Sequence, residues 1–316
     1  MNKFPKVSIL VAVYKAELYI ERCCVSIFSQ TYDNIEYIFV DDCSPDNSII
    51  KLQDILEVYP HRKEQVKIIR NEHNKGLASV RNTQIANASG DYLLFVDSDD
   101  WIDSITVEEL VNKAIVENAD IVCYDLLYEF KDSTRYFSFN NRTKEQLLKD
   151  VSSGLMKSYI VLFFTKRTIY TSNQLIFNPD IRICEDFIMF YKILYYTEHI
   201  VYLPKAFYHY FQGNPNSNTV LTIQNITDRI EGIKEVERYM QSVGLYSIIK
   251  DDLRKRKFET KKEFIVDSRF RNFNQWRSIF PDSNFSWRIS NIGTRNKLAC
   301  LFVFLHLDKI AKLFLK

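Results

Sequence analysis

Three carboxylates follow directly on an apolar run in the stretch YLLFVDSDDW, residues 92 to 101. They are Asp97, Asp99 and Asp100. Like charges this close repel, and removing them from water costs free energy unless a positive charge lies between them. Asp97 and Asp99 are two residues apart, so in an extended backbone both point to one face and can meet a single hard cation, Mg²⁺ or Mn²⁺. The alternative is an acidic loop that water solvates.

A second group of polar residues follows another apolar run. Asp41, Asp42 and Ser44 lie in the stretch FVDDCSPDNS, residues 39 to 48. Further on, Gly76 precedes a predicted helix that carries Arg81 one turn from its start. Because a helix N-terminus and an arginine both favour anions, this region indicates a phosphate site.

Three further positions have both a functional and a structural interpretation. Glu185 and Asp186 open an apolar helix, where the helix macrodipole favours acids in any case. His209 lies among aromatics in FYHYF, as a packed residue or as a secondary ligand for a metal or a diphosphate. Trp101 follows the acids and either packs beneath them or stacks on a ligand.

The apolar pattern alternates between strand and helix periods along the first 130 residues. This order predicts an α/β fold with a parallel, doubly wound sheet, whose ligands bind outside the carboxyl ends of the strands. Further on, 185–197 is predicted as a helix and 199–211 as one or two strands. The alternating strands are predicted at 7–13, 35–42, 66–72, 91–100 and 120–130, and the helices between them at 18–30, 47–59, 77–89 and 106–119.

The turn-rich stretch 212–219 predicts a domain boundary near Thr219. Residues 1–219 form the first predicted domain, with halves at about 1–130 and 131–219. Residues 220–316 form a basic, mainly helical region. The net charge is −7 for residues 1–249 and +9 for residues 250–316.

The composition excludes several classes of protein. With 46% apolar residues among 316, the chain can bury a large core and is not disordered. The six cysteines show no CxxC spacing, which indicates reduced thiols and a cytoplasmic protein. No apolar run reaches the ~20 residues that span a bilayer. The basic tail carries no DNA- or RNA-binding motif, so nucleic acid is not an expected partner.

Four stretches, in this order and spacing, resemble the family 2 glycosyltransferases over about residues 5 to 220. The resemblance implies a GT-A fold, a nucleotide-diphosphate sugar as donor, with a UDP-sugar expected by family habit, and inversion at the anomeric carbon. It implies a hexosyltransferase of the kind that builds bacterial surface polysaccharides. The four stretches are VSILVAVYKAELYIERCCVSIFSQTYDNIEYIFVDDCSPDNS, NKGLASVRNTQIANASGDYLLFVDSDD, FNPDIRICEDFIMFYKI and YHYFQGNPNSNT.

The resemblance also implies roles for individual residues. Asp97 and Asp99 match the D-x-D pair, with Asp99 the expected direct ligand of Mn²⁺ or Mg²⁺. Asp186 matches the catalytic base, and Glu185 is its neighbour or an acceptor contact. His209 is a further metal candidate. The residues expected to bind the donor nucleotide are Ala12, Tyr14, Glu17, Asp41, Asp42, Ser44, Arg81 and Asp97.

The sequence departs from the family pattern at two places. The first strand ends in Ala12, Val13, Tyr14 and Lys15, where the family commonly has Pro-Val-Tyr-Asn. The run that usually ends in YxYR ends here in Phe211. An acceptor or phosphate contact from an arginine is therefore not expected at that position.

The last stretch, residues 296–316, predicts a terminal amphipathic helix with His306, Lys309, Lys312 and Lys316 near one side. Such a helix suits the cytosolic face of a cell membrane, where cations near anionic lipid add ~1 kcal/mol each. The acceptor would then be a saccharide on a polyprenyl diphosphate. The alternative is a helix docked on the catalytic domain.

Two other functions remain open from the sequence. A nucleotidyltransferase would also use a metal held by carboxylates, but would leave Glu185 and Asp186 without an obvious task. A non-catalytic nucleotide-sugar-binding subunit would keep the fold without turnover, although all the expected acids are present.

Overall fold

The chain divides into two units in the computed structural model, which describes residues 4–214, 221–288 and 290–315. The first unit comprises Met1–Arg142 and Tyr159–Asn218, and the second Thr143–Ser158 and Thr219–Lys316. The predicted boundary at residue 219 lies outside the described residues. The sequence predicted a first domain that is continuous from residue 1 to residue 219. In the structure, Thr143–Ser158 belongs to the second unit, because the helix in Thr143–Ser158 packs there.

A single sheet of nine strands, counted over the described residues, forms the centre of the first unit. Continuous apolar runs such as VSILVAV give strands that are buried on both faces. The strands are β1 (Val7–Val13), β2 (Ile35–Asp41), β3 (Val66–Arg70), β4 (Tyr92–Asp97), β5 (Trp101–Ile102), β6 (Ile121–Glu129), β7 (Thr134–Phe137), β8 (Phe163–Lys166) and β9 (Ile200–Phe211).

The strand order is β3-β2-β1-β4-β8-β6-β9-β5, with β7 paired to β6. β1 to β4 are parallel neighbours, and β6 runs parallel to β9. β8, which the sequence did not predict, is antiparallel to both β4 and β6. The sheet is therefore mostly parallel, as predicted. Its register places Val13 beside Asp41 and Ala12 beside Asp97, so these carboxyl ends meet at one edge.

Helices follow the strands of the first unit. Each buries apolar residues, as α1 does with Ile20, Cys23, Cys24, Ile27 and Phe28. Short 3₁₀ turns occupy Pro60–Gln65 and Ile160–Leu162. The helices are α1 (Ile20–Phe28), α2 (Ser48–Val58), α3 (Leu77–Asn87), α4 (Thr106–Val116), α6 (Arg167–Ser172) and α7 (Glu185–Tyr196).

The second unit is helical in its described residues. Its first helix, α5 (Lys144–Ser153), begins with a capping box between Thr143 and Gln146 and ends at Gly154 in the left-handed region. The later helices are α8 (Ile223–Ser242), α9 (Tyr246–Lys261), α10 (Glu263–Val266), α11 (Phe273–Ser278), α12 (Thr294–Phe304) and α13 (Asp308–Ala311), with 3₁₀ turns at Pro281–Ser283, Ser286–Arg288 and Lys312–Phe314.

α5 packs against α9. Leu147, Leu148 and Val151 are buried on α5, and Arg256 Nε of α9 donates a hydrogen bond of 3.2 Å to the Val151 carbonyl. The pairing buries an apolar face that the ten residues of α5 could not bury by themselves.

The predicted single terminal helix is wrong. α12 ends at Phe304, and His306 adopts a positive φ of 60°. The Leu307 and His306 amides donate to the carbonyls of Phe302 and Val303, which is the Schellman arrangement that ends a helix. Over the part of the chain that the structure describes, every helix is too short or too polar to cross a bilayer.

Candidate active site

Arg81 lies at the centre of the predicted acids. Its side chain is buried on α3, and its Nη1 contacts Glu185 Oε1 at 2.9 Å and also Asp186 Oδ1. Its Nη2 lies 3.7 Å from Asp97 Oδ1. One guanidinium thus joins the end of β4 to the start of α7. The sequence predicted Arg81 as a nucleotide contact, whereas the structure gives it these three carboxylates.

Asp186 is held from two sides. Besides Arg81, the backbone amide of Ile160 donates to Asp186 Oδ2 at 3.2 Å. Burial raises the pKa of Asp186 to about 7, an effect that Arg81 opposes and Glu185 reinforces. A carboxyl group with this pKa can accept a proton near neutral pH and give it up again.

Asp97 is the last residue of β4, and Asp99 lies in the turn that follows it. Burial, together with the charges of Asp99 and Asp186, raises the pKa of Asp97 to about 6, and Arg81 opposes this rise. Asp99 Oδ2 accepts a hydrogen bond of 2.7 Å from Asn214 Nδ2. Their repulsion indicates a place where a cation would be stabilising.

Asp100, the third acid of the loop, has a structural role. It is 1% exposed, and it accepts hydrogen bonds of 2.7 Å from Tyr208 Oη and from the Phe211 amide. Tyr208 Oη in turn accepts a bond of 3.0 Å from the Asp97 amide. These contacts fix the D-x-D loop against β9.

A stack of side chains supports the other side of this loop. The Arg22 guanidinium lies 3.6 Å from the Trp101 ring centroid and 4.7 Å from that of Phe211, while its Nη2 donates to the Asp99 carbonyl at 2.9 Å. The His209 ring stacks on Trp101 at 4.9 Å. Sequence reasoning missed Arg22 because nothing local marks it as a partner of a loop 77 residues away.

His209 contacts two carboxylates in the structure. Its Nδ1 lies 2.8 Å from Glu129 Oε1, and its Nε2 lies 3.1 Å from Asp103 Oδ1. Both ring nitrogens therefore contact carboxylates other than Asp97 and Asp99. The role of His209 as a metal ligand stays a prediction.

The two acids predicted to bind the nucleotide, Asp41 and Asp42, differ in the number of hydrogen bonds that they accept within the protein. Asp41 Oδ1 accepts from the Ser44 amide at 2.8 Å, and Asp41 Oδ2 is buried without a hydrogen-bond partner among the described residues, although it is 3.2 Å from Arg70 Nε. Asp42 instead accepts from Asn71 Nδ2 and from the amides of Lys75 and Gly76. Asp42 thus holds the loop that precedes α3.

The remaining predicted nucleotide contacts surround the end of β1. Ala12 is part-buried and Tyr14 is 43% exposed. The Ser44 hydroxyl accepts from the Lys15 amide at 2.8 Å and donates to Asp46. Glu17 accepts from the Asn47 side chain at 3.1 Å. These residues bring the loops after β1 and β2 together at the edge that carries Asp97.

The donor set at Asp97 and Asp99 fits a hard divalent cation. Two carboxylate oxygens are the ligands that Mn²⁺ and Mg²⁺ prefer. Within the described residues, no three His, Cys, Asp or Glu side chains form a metal-binding group. Mg²⁺ held by one or two carboxylates commonly completes its shell with water and phosphate oxygens.

Comparison with known proteins assigns this arrangement to a family. The model of Glycosyl transferase family 2 matches residues 8–191, more than half of the chain. The chain belongs to glycosyl transferase family 2. The matched segment contains Arg81, Asp97 and Asp186, and the resemblance seen in the sequence is confirmed.

This family 2 chain is similar to a protein of Bacillus subtilis strain 168 that is named as the glycosyltransferase EpsH. The two are 32% identical over 214 residues, which are 65% of this chain and 60% of EpsH. The chain thus spans less than two thirds of the length of that relative.

Solved structures confirm the GT-A fold. Staphylococcus aureus TarS, residues 1–349, in complex with UDP-GlcNAc superposes with a TM-score of 0.73 over 97% of this family 2 chain and 89% of TarS, at 18% identity. The mannosyltransferase PcManGT of Pyrobaculum calidifontis, in complex with GDP-Man and Mn²⁺, has a TM-score of 0.55 over 99% of this chain and 84% of its own, at 15% identity.

Proposed function

We propose that this chain is an inverting glycosyltransferase that moves a sugar from a nucleotide-diphosphate donor to a hydroxyl group of a saccharide. The observation that carries the proposal is the meeting of Asp97, Glu185 and Asp186 around the buried guanidinium of Arg81. It supports the proposal because a loop that could hold a metal–diphosphate would then lie beside a carboxyl group that could transfer a proton.

Asp186 acts as the general base. The acceptor hydroxyl attacks the anomeric carbon from the face opposite the diphosphate and gives its proton to Asp186, while the bond from the anomeric carbon to the phosphate oxygen breaks. The electron pair of that bond leaves with the nucleoside diphosphate. A base of this kind contributes roughly 10²–10⁴-fold to the rate.

Asp97 and Asp99 would hold Mn²⁺ or Mg²⁺. When bound, the cation supplies Lewis-acid stabilisation of the negative charge on the diphosphate. Asp41 Oδ2 is buried and accepts no hydrogen bond among the described residues, although Arg70 Nε lies 3.2 Å away, and this oxygen is suited to accept an N–H group of the nucleoside. The UDP-GlcNAc in the TarS complex makes a UDP-sugar the first donor to test.

The acceptor is proposed to be lipid-linked, at the cytosolic face of a membrane and in surface-polysaccharide synthesis. Support comes from an exposed set of residues in the second unit, here called the terminal patch. Its apolar members are 39% to 62% exposed, and its two lysines are also exposed. The terminal patch comprises Leu305, Leu307, Lys309, Ile310, Lys312 and Leu313.

The test is release of the free nucleoside diphosphate from a panel of nucleotide sugars in the presence of Mn²⁺. We expect release by the native chain and a loss of at least about 100-fold in Asp99→Ala and Asp186→Asn. The matched control is Asp132→Asn, since Asp132 is exposed. No release with any donor would contradict the proposal.

The same assay separates the two rival functions. A nucleotidyltransferase would transfer the nucleotide itself and release no nucleoside diphosphate. A binding subunit would bind the donor with equal affinity in the native chain and in Asp186→Asn, without turnover on any acceptor.

A further inference from the structure

Trp101 already has two stacking partners for its ring. His209 stacks on one side at 4.9 Å with an interplanar angle of 10°, and the Arg22 guanidinium lies 3.6 Å from the ring centroid. Stacking of Trp101 on a sugar, one of the two roles the sequence allowed, would require one of these partners to leave. An aromatic surface for a sugar must therefore be sought elsewhere around the acids.

Three tyrosines, here called the tyrosine cluster, lie together in the first unit. Tyr159 and Tyr210 stack with centroids 5.3 Å apart and planes at 28°. Tyr128 meets Tyr210 edge to face at 5.8 Å, and its hydroxyl donates to Tyr159 Oη at 3.3 Å. All three side chains are part-buried, so each still presents some surface to solvent.

Strand geometry places one side of the tyrosine cluster beside the D-x-D loop. Tyr208 and Tyr210 are two residues apart on β9, so they point to the same face of the sheet. Tyr208 bonds to Asp100 and to the Asp97 amide, which shows that this face carries the acids. Tyr128 pairs with Tyr210 in the register of β6 and β9.

Backbone contacts place the other side of the tyrosine cluster beside the base. Tyr159 directly precedes Ile160, whose amide donates to Asp186 Oδ2 at 3.2 Å. Burial raises the pKa of both Tyr159 and Tyr210, and the negative charge of Asp186 adds to this rise in each case. The tyrosine cluster thus borders the place from which an attacking hydroxyl must approach Asp186.

We propose that Tyr128, Tyr159 and Tyr210 form the binding surface for the acceptor, and that the acceptor group held there is a neutral pyranose ring. This inference rests on the proposed function, since it names the acceptor class of the same site. The axial C–H groups of a pyranose form an apolar face that packs on an aromatic ring, and the tyrosine hydroxyls can bond to the sugar hydroxyls around it.

Charge argues for a neutral ring over an anionic one. The acids nearby are Asp97, Asp99, Asp100, Glu185 and Asp186, and the buried Arg81 is already in contact with three of them. An acceptor with a phosphate or carboxylate at the tyrosine cluster would be repelled by the carboxylates that Arg81 and a cation at Asp97 and Asp99 do not neutralise, and by the diphosphate of the donor, whereas a neutral ring would not.

The experiment measures saccharide binding to the full chain by saturation-transfer NMR, with cellobiose and chitobiose as probes and glycerol phosphate as the acyclic anionic comparison. Each probe is tested alone and with UDP and Mn²⁺. We expect transfer to the ring C–H protons of at least one disaccharide and none to glycerol phosphate. In Tyr159→Ala the dissociation constant of the disaccharide should rise about fivefold, which corresponds to the roughly one kcal/mol that a stacked pair contributes.

Two variants keep the result interpretable. Tyr159→Phe preserves the ring and should bind the disaccharide within about twofold of the native chain. Tyr196→Ala removes an exposed tyrosine of α7 that pairs with Tyr195, and should change nothing. Circular dichroism and the melting temperature establish that each variant folds.

The outcomes separate this inference from the proposed function. Absence of disaccharide binding, equal binding in Tyr159→Ala, or preference for glycerol phosphate would overturn the inference even if the chain releases UDP from a donor. Disaccharide binding that depends on Tyr159, in a chain that turns over no nucleotide sugar, would support the aromatic surface and contradict only the transfer reaction.

Discussion

Among the individual residues, Asp186 gives the proposed transfer reaction a defined pH dependence. Its pKa is raised to about 7, mainly by burial, so the carboxylate that must accept a proton is depleted at lower pH. We therefore expect kcat/KM for nucleoside diphosphate release to fall below about pH 7, by roughly tenfold per pH unit. A pH–rate profile that is flat from about pH 5.5 to 8 would remove Asp186 from the role of base.

Arg81 provides a second residue-scale prediction. Its positive charge lowers the pKa of Asp186, so Arg81→Gln should move the acidic limb of the pH–rate profile upward. The same change leaves three carboxylates together without their cation and should destabilise the fold by about 3–5 kcal/mol. Arg81→Lys keeps the positive charge but loses the planar guanidinium, and should shift the acidic limb of the pH–rate profile by less than Arg81→Gln does.

The pH–rate profile and the melting temperature together check the Arg81 prediction. The exposed Arg135→Gln is the matched control and should alter neither quantity. If Arg81→Gln left the acidic limb of the pH–rate profile unchanged, the ion pairs around Arg81 would not control the pKa of Asp186 in solution.

The acids of the site could be recognised from the sequence, whereas their arrangement could not. D-x-D and Glu185–Asp186 are local patterns, and the strand that precedes Asp97 is a clear apolar run. Arg81 is separated from Glu185 and Asp186 by 104 and 105 positions, so no local pattern indicates that they touch. The second role of Asp42, as an acceptor for the loop before α3, is likewise visible only in three dimensions.

At the scale of elements, Lys261 joins α9 to the segment that follows α11. Its Nζ donates to the carbonyls of Ile279 at 2.8 Å and Phe280 at 2.7 Å, and also to Asn284 Oδ1. Lys261→Met would leave these buried acceptors unpaired and should lower the free energy of unfolding by about 2–4 kcal/mol. Urea unfolding measures the difference, with the exposed Lys250→Met of the same helix as control. Equal stability of the two variants would contradict this role.

Long apolar runs made the central strands predictable from the sequence, whereas short or irregular elements were not predicted. β1, β2, β4 and β6 lie within the ranges predicted from their apolar runs. β8 has only four residues, and its place between β4 and β6 depends on pairing that a sequence pattern does not encode. The predicted terminal helix was too long because the apolar periodicity of the sequence continues past His306. In the structure, the backbone of His306 adopts the left-handed region.

At the scale of the whole molecule, the terminal patch predicts association with anionic membranes. Replacing Leu307, Ile310 and Leu313 by Ser should reduce sedimentation with vesicles that contain phosphatidylglycerol, because it removes exposed apolar surface. Lys309→Glu together with Lys312→Glu should have a similar effect, since cations near anionic lipid contribute about 1 kcal/mol each.

The control for the membrane prediction is a matched set of three exposed apolar residues elsewhere. Val58→Ser, Val116→Ser and Leu155→Ser, at 71%, 81% and 80% exposure, should leave sedimentation unchanged. Binding of all variants to anionic and to phosphatidylcholine vesicles with equal strength would exclude the terminal patch as a membrane contact.

The position of α5 has a consequence for biosynthesis. The ribosome completes α5 about ninety residues before it completes the start of α9, the helix that covers Leu147, Leu148 and Val151. At cellular elongation rates, this interval is on the order of ten seconds. In a nascent chain arrested near residue 219, the apolar face of α5 should therefore be exposed to solvent. We expect such a chain to bind a hydrophobic dye or a chaperone until α9 has been synthesised.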